Sequence, residues 1–255
     1  FKEDGTQALS MWSPSPESSF LAWGISDAGS DWSTWKIRSL KNKRLYSEVL
    51  GDIKNASPAW MPDESGFYYT RFPNSDDKNY IEATDGSQLW FHTLGTEQSE
   101  DWFVYTNEEH PEWYFGPSVT KDGGWLVVSV APGTSEYNGL MVQGPNEDSL
   151  RWLDEGFDAS ISLIGGIGDN LWFHSNRNAP NGKVVSIDMS DETPVFVDVI
   201  PESTTILRSA DIVGGKITVK WLKDASTEVT VHNLGGKQLY VVDMPGIGTA
   251  GGFGG

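Results

Sequence analysis

The sequence predicts an all-β fold, and three observations predict it. Long stretches free of Gly and Pro alternate apolar and polar residues with a period of two. No stretch carries a convincing amphipathic-helix pattern. One local unit, a polar turn followed by an apolar burst, recurs at roughly 45–60 residues, the size of a four-stranded propeller blade. Composition agrees, because 12 Trp, 8 Tyr and 11 Phe supply the side chains that fill pleated, half-buried surfaces.

Taken in order, the first unit is the turn Ser13–Ser18 with the burst Phe20-Leu-Ala-Trp-Gly24. The alternating stretch Ser30–Leu50 follows it. The second unit is Met61–Gly66 with Phe67-Tyr-Tyr69, followed by strands at Gln88–Leu94 and Trp102–Tyr105. The third is Thr120–Gly124 with Trp125-Leu-Val-Val128, followed by Gly139–Gln143 and Leu150–Leu153. Weaker copies sit at Gly165–Asp169 with Leu171-Trp-Phe173, and at Val213–Gly215 with Ile217-Thr-Val219. The last opens the second alternating stretch, in which Lys216–Trp221 and Glu228–His232 read as strand, turn, strand. A β-propeller of about five four-stranded antiparallel blades follows, at 8–56, 57–115, 116–160, 161–207 and 208–245 of a single domain, 1–255. The glycine-rich remnant 246–255 reads as the start of a sixth. The chain opens on Phe1 without an initiator Met, which reads as a segment of something longer.

Acidic residues number 36 against 18 basic, a net charge of −18. That argues against nucleic acid and anionic membranes as partners, since phosphate binding needs clustered Lys and Arg. With no cysteine, a disulfide framework, a thiolate zinc site and a cysteine nucleophile are excluded. No apolar run is long enough to span a bilayer, so a soluble protein is expected, cytoplasmic or bacterial periplasmic.

Local motifs for chemistry are weak. Gly246, Gly248 and Gly251 fit Gly-x-Gly-x-x-Gly, but too few residues follow for the helix that a dinucleotide site needs. Gly-x-Ser-x-Gly and His-Glu-x-x-His are absent. His92, His110, His174 and His232 are isolated in sequence, and His92 and His174 follow Trp-Phe in apparent strands, which favours packing. The carboxylates at Asp76-Asp77, Glu97 to Asp101 and Glu108-Glu109 read as solvated turn residues. Asp27-x-Gly-x-x-Trp32 matches part of an Asp-box turn but has Ile25 where Ser or Thr belongs. No cofactor and no metal are implied.

Two stretches carry a resemblance. Ser26-Asp-Ala-Gly-Ser-Asp-Trp-Ser-Thr-Trp-Lys-Ile37 resembles the S-x-x-G-S-D-W-x-T-I-K strand pair of prolyl oligopeptidases. Leu89-Trp-Phe-His-Thr-Leu-Gly-Thr-Glu-Gln-Ser-Glu-Asp101 is similar to that family's V-Y-Y-H-x-L-G-T-x-Q-x-x-D segment. Supporting matches lie at Ser57–Asp63, at Phe67–Pro73 and at Ser175-Asn-Arg-Asn-Ala-Pro-Asn-Gly-Lys-Val-Val-Ser-Ile-Asp188. The last resembles T-N-R-x-x-P-N-x-x-V-x-x-I-D, with Ser for the first Thr.

The resemblance implies a seven-bladed propeller capping an α/β-hydrolase domain, with five blades present here. It implies a gating and substrate-selection role for a serine peptidase that cleaves short peptides after proline. No member of the Ser/Asp/His triad maps onto this chain, so it is expected to be inactive alone. The implied partners are the hydrolase domain of the parent chain and short proline-containing peptides. Two positions carry over as substrate-binding residues. Arg177 matches a family arginine facing the cavity between the domains, and Asp31 matches an acidic residue on the same face. A buried Arg–Asp pair would brace that face. The acidic Asn74–Asp85 stretch replaces a longer family loop, which puts any gating role for it in doubt. A stand-alone peptide-binding propeller, and the propeller of another peptidase of the same superfamily, remain rival readings.

Overall fold

The computed structural model describes residues 2, 4–73 and 85–253. Residues 74–84, which include Asp76 and Asp77, lie outside the described residues. The described chain forms twenty strands in five four-stranded antiparallel sheets, with one 3-10 turn at Gln98–Glu100. Among the described residues no helix is long and apolar enough to cross a membrane.

The first sheet contains β1 (Gln7–Pro14), β2 (Phe20–Asp27), β3 (Trp32–Ser39) and β4 (Leu45–Lys54). The second contains β5 (Ala59–Trp60), β6 (Gly66–Arg71), β7 (Gln88–Thr93) and β8 (Trp102–Tyr105). The third contains β9 (Trp113–Val119), β10 (Leu126–Pro132), β11 (Gly139–Gln143) and β12 (Arg151–Asp154). The fourth contains β13 (Ile161–Ile167), β14 (Asn170–Ser175), β15 (Lys183–Asp188) and β16 (Val197–Ile200). The fifth contains β17 (Ile206–Val213), β18 (Lys216–Lys223), β19 (Ser226–His232) and β20 (Gln238–Val241). Each sheet is a meander, its strands paired in chain order.

Every apolar burst contributes to the second strand of its sheet: β2, β6, β10, β14 and β18. The physical reason is position. A second strand is paired on both edges and packed on both faces, so its sequence runs apolar instead of alternating. In β10, Leu126, Val127, Val128 and Val130 are all buried. The polar turn before each burst is the hairpin joining the first strand to the second.

Two expected boundaries shift. The third sheet opens at Trp113, so Trp113–Phe115 leave the second repeat. Gly116 and Pro117, which look like punctuation, sit inside β9. That strand has one neighbour only, β10, and an edge strand tolerates proline. The fifth sheet opens at Ile206, with Leu207 opposite Trp221.

The chain divides into two compact units, Phe1–Ser135 with Gly139–Glu155, and Glu136–Asn138 with Gly156–Gly255. In the first unit, Ala22, Trp35, Ile37, Leu50 and Ile53 of the first sheet pack on Trp60, Phe67 and Tyr69 of the second. Trp35 is fully buried, its ring 5.9 Å from Tyr69 and 6.3 Å from Phe67. The third sheet joins the second through Thr70, whose hydroxyl donates to the Phe115 carbonyl at 2.6 Å. Tyr105 and Phe115 meet edge to face across the same boundary.

In the second unit, Trp172, Val184 and Ile200 pack on Leu207, Ala210, Ile212, Ile217, Val219 and Trp221. Trp172 donates its indole N–H to the Leu234 carbonyl at 3.1 Å. Below it, Trp221 donates to Thr230 at 2.8 Å, and Thr230 lies 2.8 Å from His232.

One glycine marks how closely these sheets approach, and a second serves as its control. Gly236, in the β19–β20 turn, has φ +84, and a Cβ there would lie 1.9 Å from the Val199 carbonyl oxygen. Gly214, in the β17–β18 hairpin, has φ +55 but open space around it. Gly214→Ala therefore costs only the left-handed backbone, about 1 kcal/mol. Gly236→Ala adds a backbone clash and costs about 3 kcal/mol or more. Urea unfolding of the two variants checks this, and equal losses would refute the close approach at Val199.

Candidate peptide-facing turns and a buried lock

Asp31 and Arg177 occupy equivalent places in their own sheets, the turn from the second strand to the third. Asp31 is exposed and sits just before β3. Its turn is built by Ala28 and Gly29, both left-handed, with the Ala28 N–H donating to the Thr6 carbonyl at 2.7 Å. The Ser30 hydroxyl accepts from the Trp32 N–H at 3.1 Å. Beside this turn opens a recess of about 230 Å³ lined by Asp27, Ser30, Trp32, Thr34 and Asp52 among others. Lys2 lies 2.9 Å from Asp27 and holds that carboxyl below its ordinary range. Asp31 flanks the recess and does not line it.

Arg177 sits in a turn tied down on both sides. The Asn176 side chain accepts from the Ser160 N–H at 2.7 Å, and the Asn176 N–H donates to the Ser160 carbonyl at 3.1 Å. Asn181 reaches the other way. Its N–H donates to Glu202 at 2.7 Å, its side-chain amide donates to the Ser203 carbonyl at 2.9 Å, and its carbonyl accepts from Leu207 at 2.7 Å. The Asn-Arg-x-x-Pro-Asn motif thus uses its two asparagines to clamp the turn between neighbouring connectors. Arg177 donates from Nε (3.0 Å) and a terminal nitrogen (2.6 Å) to one oxygen of Asp158.

The sequence does not single out Asp158. It precedes the fourth sheet in an unremarkable connector, and no sequence signal marks it. The partner that Arg177 does have, Asp158, makes a solvent-facing pair with it, the side chains being 28% and 64% exposed. Both residues lie in turns, where a side chain reaches its partner without leaving solvent.

The strongest sequence motif builds something else. The His92 ring donates from Nδ1 to Asp101 at 2.7 Å, and both side chains are fully buried. The Tyr69 hydroxyl donates to the other Asp101 oxygen at 2.5 Å. Gln98 donates to the Tyr69 oxygen at 3.0 Å and to the Gly51 carbonyl at 3.1 Å, while its own oxygen accepts from the Gly51 N–H at 3.0 Å. A second link crosses alongside, since buried Glu48 accepts from the Gly95 N–H at 3.1 Å.

Glu97 and Glu100 are exposed as expected, but Asp101 corrects the reading of this segment as solvated carboxylates. Asp101 is the inward end of the 3-10 turn, and a phenol and an imidazole replace its water. His92, Gln98 and Asp101 are the H, Q and D of the motif, so their spacing could have flagged a network. A His–Asp pair sealed from solvent meets no substrate. Its work is to lock β4 of the first sheet to the second. Burial and the Asp101 contact both push the Tyr69 phenol above its ordinary range, so it stays protonated as a donor. Among the described residues His92 Nε2 is buried without a partner, a cost of about 1–3 kcal/mol that the lock carries. His174 is half-buried on β14, and burial lowers its pKa.

With this geometry in hand, comparison with known proteins is decisive. The whole chain, residues 1–255, matches the family model described as prolyl oligopeptidase, N-terminal beta-propeller domain. The chain belongs to that family. The prolyl endopeptidase of Elizabethkingia miricola is 32% identical over 257 residues, spanning 100% of this chain and 36% of the relative. A solved prolyl endopeptidase, described for inter-domain dynamics in catalysis and specificity, superposes with a TM-score of 0.89 at 32% identity. That match covers 98% of this chain and 36% of the other. Prolyl oligopeptidase B from Galerina marginata, bound to a 35mer hydrolysis and macrocyclisation substrate, gives a TM-score of 0.86 at 26% identity. It covers 95% of this chain and 36% of that one. This propeller chain therefore spans about 36% of the length of the relatives it matches.

The lock makes two predictions for the propeller. Asp101→Ala leaves His92 and Tyr69 buried without an acceptor and costs about 3–5 kcal/mol, read as a lowered urea midpoint. Tyr69 has a folded pKa above its unfolded value near 10.0, so its contribution is complete below that pH and is lost as pH rises beyond it. Tyr69→Phe should flatten the alkaline fall in stability relative to the unmodified chain. Parallel alkaline curves would show that the phenol is not held this way.

Proposed function

We propose that this propeller belongs to a serine-type peptidase that hydrolyses short peptides after proline, and that it gates and selects substrate. The family match across all 255 residues carries this reading. The α/β-hydrolase domain with its Ser, Asp and His would lie in the part of the parent outside this chain. Catalysis would then belong to that partner domain, and this chain would not cleave peptides alone.

Arg177 and Asp31 would supply the propeller's polar contacts to the peptide. Arg177 suits the task because the two asparagine clamps hold its turn and Asp158 orients its guanidinium before any ligand arrives, so less side-chain entropy is left to lose. A guanidinium donates to peptide carbonyls, or to a terminal carboxylate with greater strength. Asp31, exposed beside an acidic recess, would meet a peptide's cationic end.

The test uses the parent enzyme. Arg177→Ala should raise KM for a proline-containing peptide about tenfold or more, with kcat nearly unchanged, because a uniform binding contact is lost. Asp158→Ala should raise it less. An unchanged KM in Arg177→Ala would remove Arg177 from the binding face. The 255-residue chain alone should leave a Gly-Pro reporter uncut, and cleavage by the pure chain would overturn the assignment of catalysis to another domain. A parent reading frame without Gly-x-Ser-x-Gly followed by Asp and His would overturn the peptidase reading itself.

A further inference from the structure

The first unit contains an open groove of about 510 Å³ between β6, β7 and β8 of its second sheet and the β11–β12 turn of its third. One wall is a cross-strand row of aromatic rings. Tyr68 on β6 stands opposite Phe91 on β7, and Phe91 stands opposite Trp102 on β8. Tyr68 and Phe91 meet edge to face at 4.8 Å. Trp102 closes the row and is 70% exposed, a large apolar surface to leave in water.

The other wall is the β11–β12 turn, and it is already rigid. Glu147 accepts from Arg151 at 2.7 Å and from the Gly144 N–H at 2.8 Å, and its carbonyl accepts from the Gln143 amide at 2.8 Å. With Glu147 committed, exposed Asp148 is the carboxylate at the rim without an ion-pair partner among the described residues.

The donors and acceptors in the groove are unbalanced. Among the described residues neither the Tyr68 hydroxyl nor the Trp102 indole N–H has a hydrogen-bond partner. Burial raises the Tyr68 pKa, which keeps the phenol a donor. A fitting ligand offers backbone carbonyls, few N–H groups, and apolar ridges that lie on aromatic faces. A proline-rich segment in the polyproline II conformation has all three features. Spacing agrees as well. Tyr68 and Trp102 stand two strands apart, about 9.5 Å. One polyproline II turn of three residues rises about 9.3 Å. Asp148 adds a preference for Lys or Arg beside the prolines.

We propose that this groove is a docking site for a proline-rich, basic peptide segment held as a polyproline II helix. The site is separate from the Arg177 turn and does not rest on the peptidase reading.

The test is fluorescence anisotropy on the 255-residue chain with a labelled Arg-flanked oligoproline probe. Saturable binding in the micromolar to submillimolar range is expected. Trp102→Ala should weaken it about tenfold or more, and Asp148→Lys should weaken it severalfold and flatten its salt dependence. Trp12→Ala, which truncates a 67% exposed tryptophan on another sheet, should change nothing. No binding of the probe, equal binding by Trp102→Ala in a chain of unchanged circular dichroism, or equal affinity for an alanine-substituted probe would each overturn the proposal.

Discussion

Asp101 carries a carboxylate to a place that solvent does not reach. Removing a charge from water costs several kcal/mol unless hydrogen bonds replace the lost hydration. Here the replacements come from two directions, an imidazole on β7 and a phenol on β6. Gln98, three residues before Asp101, ties the same phenol to the backbone of β4 in the preceding sheet. The position of β4, the 3-10 turn and the inward face of the second sheet all answer to this one carboxylate. Apolar packing of Trp35 against Phe67 and Tyr69 lets the sheets stick, but apolar contact is indifferent to small slides. The directional bonds fix the register.

That division of labour explains what was legible in the sequence. Sheet content and the order of strands were legible because burial of a second strand on both faces forces an apolar run, which survives in any window of a few residues. Fourth strands were legible where aromatic residues mark them, as at Trp102–Tyr105 in β8, and less so at β16, where the sequence alone does not distinguish an exposed Val197 from a buried one. The expected boundary at 115/116 falls inside β9, an edge strand that tolerates Gly116 and Pro117.

The site was legible in a different way. Arg177 could be located by its Asn-Arg-x-x-Pro-Asn context, and the structure supplies a reason for that context in the two asparagine clamps. Asp158 could not be located, because a single exposed carboxylate in a connector has no local signature among 36 acidic residues. Partners that meet through space across a turn of the chain leave no trace in spacing. His92, Gln98 and Asp101 did leave a trace, since one short segment holds all three.

The most distinctive segment of the chain is therefore its least accessible. A motif of specific polar residues stands out because a buried network tolerates no mismatch: every donor lost strands an acceptor. Solvent-facing contacts tolerate more, since water replaces what a substitution removes. Motif strength thus reports how tightly a neighbourhood is constrained, and the constraint here is architectural. The proposed ligand contacts fall instead on turns made rigid from beneath, as at Arg177, and on side chains with donors facing solvent, as at Tyr68 and Trp102. Unsatisfied donors on a rigid wall are inexpensive while water covers them, and they become selective once a ligand displaces that water.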